Sequence, residues 1–176
     1  MTWNKKLRFI TGSLPLFSGE GGSCSPQTGA AAEKAKVAQA IHDNIEWPYP
    51  EKNLELLYST IAKDPSFFIF HPDSKSTIVG FDAMRNLVEQ VFMNPGFKAT
   101  GSDIRDLRVN LSRSGEVAWF SAILDDFGED NGKPYAWLNT RWTGVLEKRE
   151  GKWLVVQMHF SFASDACGEE STKSQE

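Results

Sequence analysis

From Ile104 to Phe162 the chain consists almost entirely of four long runs, IRDLRVNLS, EVAWFSAILDDF, PYAWLNTRWTGVLEK and KWLVVQMHFSF. Short clusters of Gly, Asn, Ser and Asp part them, so each reads as a strand. Strands of about 9–15 residues, where ~5–6 is usual, must twist and curl strongly. Joined by turns this short, consecutive strands become antiparallel neighbours.

What precedes the strands is helical. AAAEKAKVAQAIHDNI, from Ala30 to Ile45, repeats apolar residues at Val37, Ala38, Ile41 and Ile45, the spacing of one helix face. Pro48 and Pro50 end it. Asn53 caps a second helix, LELLYSTIA, with Glu55 in its first turn. FFIFH is a compact strand and PDSKS a turn. IVGF leads into a third helix, DAMRNLVEQVF, capped by Asp82 and stopped by MNPG. Three helices followed by a meander predict an α+β fold, with the helices packed on one face of a strongly curled antiparallel sheet. Such a sheet closed by helices is a cone with a cavity inside.

The 176 residues hold 40% hydrophobic and 12% aromatic side chains, enough for a packed core. They read as an N-terminal segment over 1–29, one domain over 30–163 and a polar, disordered tail over 164–176. A net charge of −4 with scattered Lys and Arg argues against nucleic acid as a partner. No apolar run reaches the ~18–20 residues of a membrane span. Lys5, Lys6 and Arg8 before FITGSLPLF resemble a signal peptide leading to a lipidation cysteine, Cys24. Pro15, Glu20 and Gly21 depart from that pattern, so two readings stay open. One is an exported, lipid-anchored or periplasmic protein; the other is a cytoplasmic protein with a plain tail. Cys24 and Cys167 lie in opposite tails and read as unpaired thiols, forming neither a metal site nor a disulfide framework.

Register sorts the last strands by face. A two-residue Glu150-Gly151 turn would need positive φ at Glu150, so a three-residue Arg149-Glu150-Gly151 loop is expected. Arg141 then opposes His159, Thr143 opposes Gln157 and Glu147 opposes Trp153, on a mixed face shared with Ser161. The other face carries Leu138, Trp142, Leu146, Met158, Phe160 and Phe162, and belongs against the helices. With bulky residues on both sides, the mixed face should meet a second subunit, forming a two-fold homodimer through the sheet. Asn131-Gly132 marks a type I′ hairpin and sets Trp119 and Ser121 on the cavity side, joined by Ile123 and Asp125. A bulge or Pro134 would shift this pairing by one residue.

Arg141, Thr143, Gly151-Lys152-Trp153, His159 and Ser161, at these spacings on consecutive strands, resemble the SnoaL-like branch of the nuclear transport factor 2-like superfamily. AKDPSFFIFHPDSKSTIVGFDAM is similar to that family's first strand and entry to the third helix. The resemblance covers roughly residues 33 to 162 and implies a conical, cystatin-like α+β fold that usually dimerises through its sheet. The last strands also resemble the calcium/calmodulin-dependent kinase association domain. The positions of that domain's pocket arginines fall here on Gly144, Phe160 and Ser121, which argues against a carboxylate-gripping pocket.

Two functional readings follow. The preferred one is a noncatalytic dimeric module binding a small hydrophobic ligand in a pocket of Tyr58, Trp119, Ser121, Trp142, Met158 and Phe160. It needs no cofactor and no metal. The alternative is an isomerase, dehydratase or polyketide-cyclase type of enzyme using Asp125, His71 (with Asp73 nearby) or Tyr58 for proton transfer in the same cone. The module is preferred because no acid–base pair has a secure common location.

Overall fold

The computed structural model describes residues 26–72 and 77–163, with side chains from residue 29 onward. Cys24, Cys167 and Asp73 lie outside the described residues. Helix α1 (Pro26–Glu46) is followed by α2 (Leu54–Thr60), the short strands β1 (Phe68–Phe70) and β2 (Ile78–Val79), and α3 (Phe81–Leu87). α3 widens into one π-helical turn over Val88–Phe92. Then come β3 (Phe97–Leu111), β4 (Val117–Asp130), β5 (Lys133–Arg149) and β6 (Lys152–Ser161). All six strands form one sheet in the order β2-β1-β6-β5-β4-β3. β1 joins β6 in parallel, and the other pairs are antiparallel. Among the described residues no helix is long and apolar enough to cross a membrane.

The α+β layout and the three helices are as expected, and the ends differ for local reasons. α1 starts at Pro26 rather than Ala30, because proline suits the first helical position. Asn53 caps α2, accepting from the Leu56 N–H at 2.9 Å. Asp82 does not cap α3. Gly80, at φ 83°, holds the cap position, while Asp82 sits in the first turn and pairs with Arg85 at 3.0 Å. β3 begins at Phe97, well before Ile104, since the bulge between Ala99 and Gly101 disguises the alternation there.

The core lies between the helices and the inner face of the sheet. α1 contributes Val37 and Ile41, α2 contributes Leu57, and Ile61 follows it; all are shut off from solvent. Trp142 is completely buried, stacked on Phe160 at 5.6 Å and met edge-on by Phe120 at 4.9 Å. Burying each large side chain contributes roughly 1.5–3 kcal/mol. Gly144 permits this packing, because a Cβ there would stand 2.6 Å from the Phe120 ring and 2.6 Å from the Gln157 carbonyl.

Two corrections of register decide which residues reach the inside. Glu150 and Gly151 do form a two-residue turn, with φ of 51° and 79°, and Arg149 pairs with Lys152. The strand twist favours this mirror-image turn enough to hold a glutamate in the left-handed region. Near the turn Lys148 therefore opposes Trp153, which the helices bury instead of leaving it on the mixed face. A bulge at Val145/Leu146 then restores the parity, so Arg141 opposes Ser161 and Thr143 opposes His159. Those residues, with Gln157, remain on the outer face. The Asn131-Gly132 turn forms as expected, at φ 49° and 77°. Beyond it a second bulge, with Asn139 at φ 53°, shifts the pairing between Leu124 and Asp126. Ser121 now opposes Thr143 and Trp119 opposes Val145. Trp119, Ser121 and Ile123 consequently lie on the outer face and not toward the cavity.

Candidate functional site

The bulge between β4 and β5 separates two adjacent acids. Asp125 turns outward, where both carboxylate oxygens accept from Arg105 Nη2 at 2.8 Å and one accepts from the Asn139 N–H at 2.6 Å. The Asn139 amide and then Arg105 hold this carboxyl below its ordinary range against the opposing effect of burial. Asp126 turns inward, opposite Trp137 on β5 and Ser102 on β3. Burial pushes its carboxyl up to about 6, partly offset by the backbone N–H of Phe127.

Asp126 lines a cavity of about 340 Å3 inside the cone, with His71, Tyr135, Trp137, Leu124 and Phe160 among its neighbours. α1 and the loop after it supply Ile45, Trp47 and Pro48, and β3 supplies Phe97 and Ala99. Leu87, Val91 and Phe92 come from α3 and its π-helical turn. One wide turn there re-aims side chains that a continuous α-helix would place elsewhere. A second cleft of about 270 Å3 adjoins the cavity, sharing Ile45, Ala99 and Asp126 and adding Glu46, Tyr49, Thr100, Gly101 and Ser102. Asp126 thus stands between an apolar chamber and a more polar vestibule.

Aromatic rings frame the chamber at steep angles. His71, just beyond β1, meets Phe160 edge-on at 5.7 Å and Trp137 at 6.0 Å. Trp47 meets Phe92 at 5.6 Å, and Phe92 meets Phe97 at 5.0 Å. Tyr135 lies across Gly128, where a Cβ would come within 2.5 Å of its hydroxyl; glycine clears that path. Burial, then the charges of Asp126 and Asp130, push the Tyr135 phenol up to about 12.

Of the residues expected in the pocket, Phe160 lines the chamber. Trp142 and Met158 are buried in the packing beneath it. Tyr58 packs edge-on against Phe81 at 5.5 Å and faces a separate groove with Lys63, Lys152 and Leu154. Of the proton-transfer candidates, His71 reaches the chamber, while Asp125 and Tyr58 do not line it. Asp126, Tyr135 and Trp137 were missed because their facing depends on the bulge. The only sequence signal for it is Asn139, a residue type that tolerates positive φ. Among the described residues no group of three or more His, Cys, Asp or Glu side chains could hold a metal ion.

A family model described as a SnoaL-like domain matches residues 37–165. No curated protein matches the sequence. A nuclear transport factor 2-like superfamily protein from Salmonella enterica serovar Typhimurium superposes with a TM-score of 0.67 at 17% identity, covering 79% of this chain and 97% of that one. The association domain of CaMKII from C. elegans gives 0.58 at 17% identity, over 76% and 98%. An NTF2-like protein of unknown function from Pseudomonas putida gives 0.57 at 17%, over 77% and 90%. At such identities these likenesses establish the fold alone.

Proposed function

For a chain that belongs to the SnoaL-like domain family, we propose a binding module: the cone takes one small, largely apolar molecule, and two copies pair through the outer face of the sheet. The observation that carries this reading is the chamber, about 340 Å3 and walled mostly by apolar and aromatic side chains. Small-ligand sites span roughly 300–1,000 Å3 and combine such walls with a few polar groups. Covering a ligand's apolar surface there gains about 25 cal/mol per Å2. Pairing is supported by the outer face, where Trp119 is 47% and Phe70, edge-on to His159 at 6.0 Å, 46% exposed on the side that carries Arg141 and Thr143. Aromatic residues with arginine are the usual composition of an interface core.

A second reading, proton transfer on the bound molecule, is favoured by Asp126 alone. A carboxyl held near 6 inside an apolar chamber is poised to exchange a proton at neutral pH. His71 and Tyr135 line the same chamber.

A thermal-shift screen of the full chain against small apolar compounds tests the binding reading. Some should raise Tm, and Ala99→Phe, which fills the chamber from β3, should abolish the shift while the protein stays folded. No shift in the wild type, or equal shifts in both proteins, contradicts the reading. Proton transfer predicts deuterium uptake by a bound enolisable ketone, lost in Asp126→Asn; unchanged uptake in that variant removes it.

A further inference from the structure

The carboxyl groups that line the chamber and its vestibule have no basic Lys or Arg beside them among the described residues. Asp126 lines both, and Glu46 lines the vestibule. The other titratable side chains facing these spaces are His71, Tyr49 and Tyr135. Lys52 lies over the outer part of this wall, 5.6 Å from the Phe97 ring centroid, but its ammonium donates to the Asn94 carbonyl at 2.8 Å and does not line the chamber. Asp126 and Asp130 both act on Tyr135, so the negative potential reaches across the wall. In a low-dielectric cleft such a field concentrates cations and repels anions.

The walls suit the same kind of ligand. Trp47, Phe92, Phe97, Tyr135, Trp137 and Phe160 contribute six aromatic rings. Three neighbouring pairs stand steeply, at 78° for Trp47 and Phe92, 87° for Phe92 and Phe97, and 63° for Trp137 and Phe160, while Phe97 and Tyr135 are tilted at 38°. Ring faces attract cations, and a carboxylate supplies the charged hydrogen-bond acceptor that an ammonium requires. A neutral ligand would cover the Asp126 carboxylate without bringing a countercharge, and an anion would add repulsion to that desolvation.

Resting on the reading of the cone as a ligand chamber, we propose that its ligand is a small organic cation, an ammonium compound whose N–H groups meet Asp126 while its apolar body lies among the rings. Three probes of one shape separate the cases: phenethylammonium, 2-phenylethanol and phenylacetate, each titrated calorimetrically into the full chain at pH 7.5. The ammonium should bind at least about tenfold more tightly than the alcohol, and phenylacetate more weakly than either. Asp126→Asn should abolish the preference, so that the ammonium binds no more tightly than the alcohol. If the wild type binds the alcohol or phenylacetate as tightly as the ammonium, the cation proposal is overturned and the chamber reading stands. A preference for the ammonium that survives in Asp126→Asn overturns it equally. Binding of none of the three overturns both.

Discussion

Asp125 and Asp126 are neighbours in the chain and opposites in environment. The fold holds one below its ordinary range on the outer side, beside Arg105 and the Asn139 amide, and pushes the other up to about 6. A raised carboxyl binds its proton more readily in the folded state than in the unfolded chain. Its stabilising contribution is therefore complete below the ordinary value of 3.8 and is lost as pH rises through about 6. At neutral pH the ionised Asp126 costs stability, with a ceiling of ~3 kcal/mol. Asp126→Asn removes that cost, so the variant should melt above the wild type at pH 7.5, and the two should converge toward pH 4. A wild type that outlasts the variant at pH 7.5 would contradict the inward placement. Which acid points inward was not legible in the sequence. The facing of a strand residue follows from counting along the strand, and one bulge inverts the count. Trp119 and Ser121 were misplaced by the same single residue. Arg141, Thr143 and His159 kept their expected face because a two-residue turn and a bulge together moved them by an even number.

Elements are held together by polar clasps as well as by the core. Glu33 on α1 accepts from Lys148 on β5 at 2.9 Å and from the Trp153 indole on β6 at 3.0 Å, while Lys36 pairs with it at 2.8 Å along the helix. Lys36, then Lys148 and Trp153, hold the Glu33 carboxyl down at about 2. Asp64, just after α2, is likewise held at about 2, chiefly by Arg149 on β5. Depressed carboxyls contribute stability that is present above their ordinary values and fades as pH falls toward 2. Glu33→Gln should therefore unfold at lower urea than the wild type at pH 7, and the two should coincide near pH 2. A gap of equal size at both values would mean that packing, not charge, fastens α1. The elements themselves were largely legible, because apolar spacing and the Asn53 cap are local signals. The first part of β3 was not, since the bulge between Ala99 and Gly101 interrupts its alternation. The π-helical turn was not legible either. Nothing in VEQVF distinguishes it from a further turn of α-helix, yet it carries Val91 and Phe92 to the chamber.

At the scale of the whole molecule, the sheet has one face closed by helices around a chamber and another that exposes large apolar groups. Pairing through that outer face predicts a dimer by light scattering at micromolar concentration. Trp119→Glu, which puts a charge at the exposed indole, should yield a folded monomer. A wild-type monomer, or an unaffected dimer in the variant, counts against that face. The chamber asks for a more direct test. It rests on a carboxyl from β4 standing inside the cone while its neighbour stands outside. Carbon-13 titration of the aspartate side chains follows both groups in one protein. The expected midpoint is near 6 for Asp126 and below the ordinary 3.8 for Asp125. Asp126 titrating at or below 3.8, or the two acids exchanging behaviour, would contradict it.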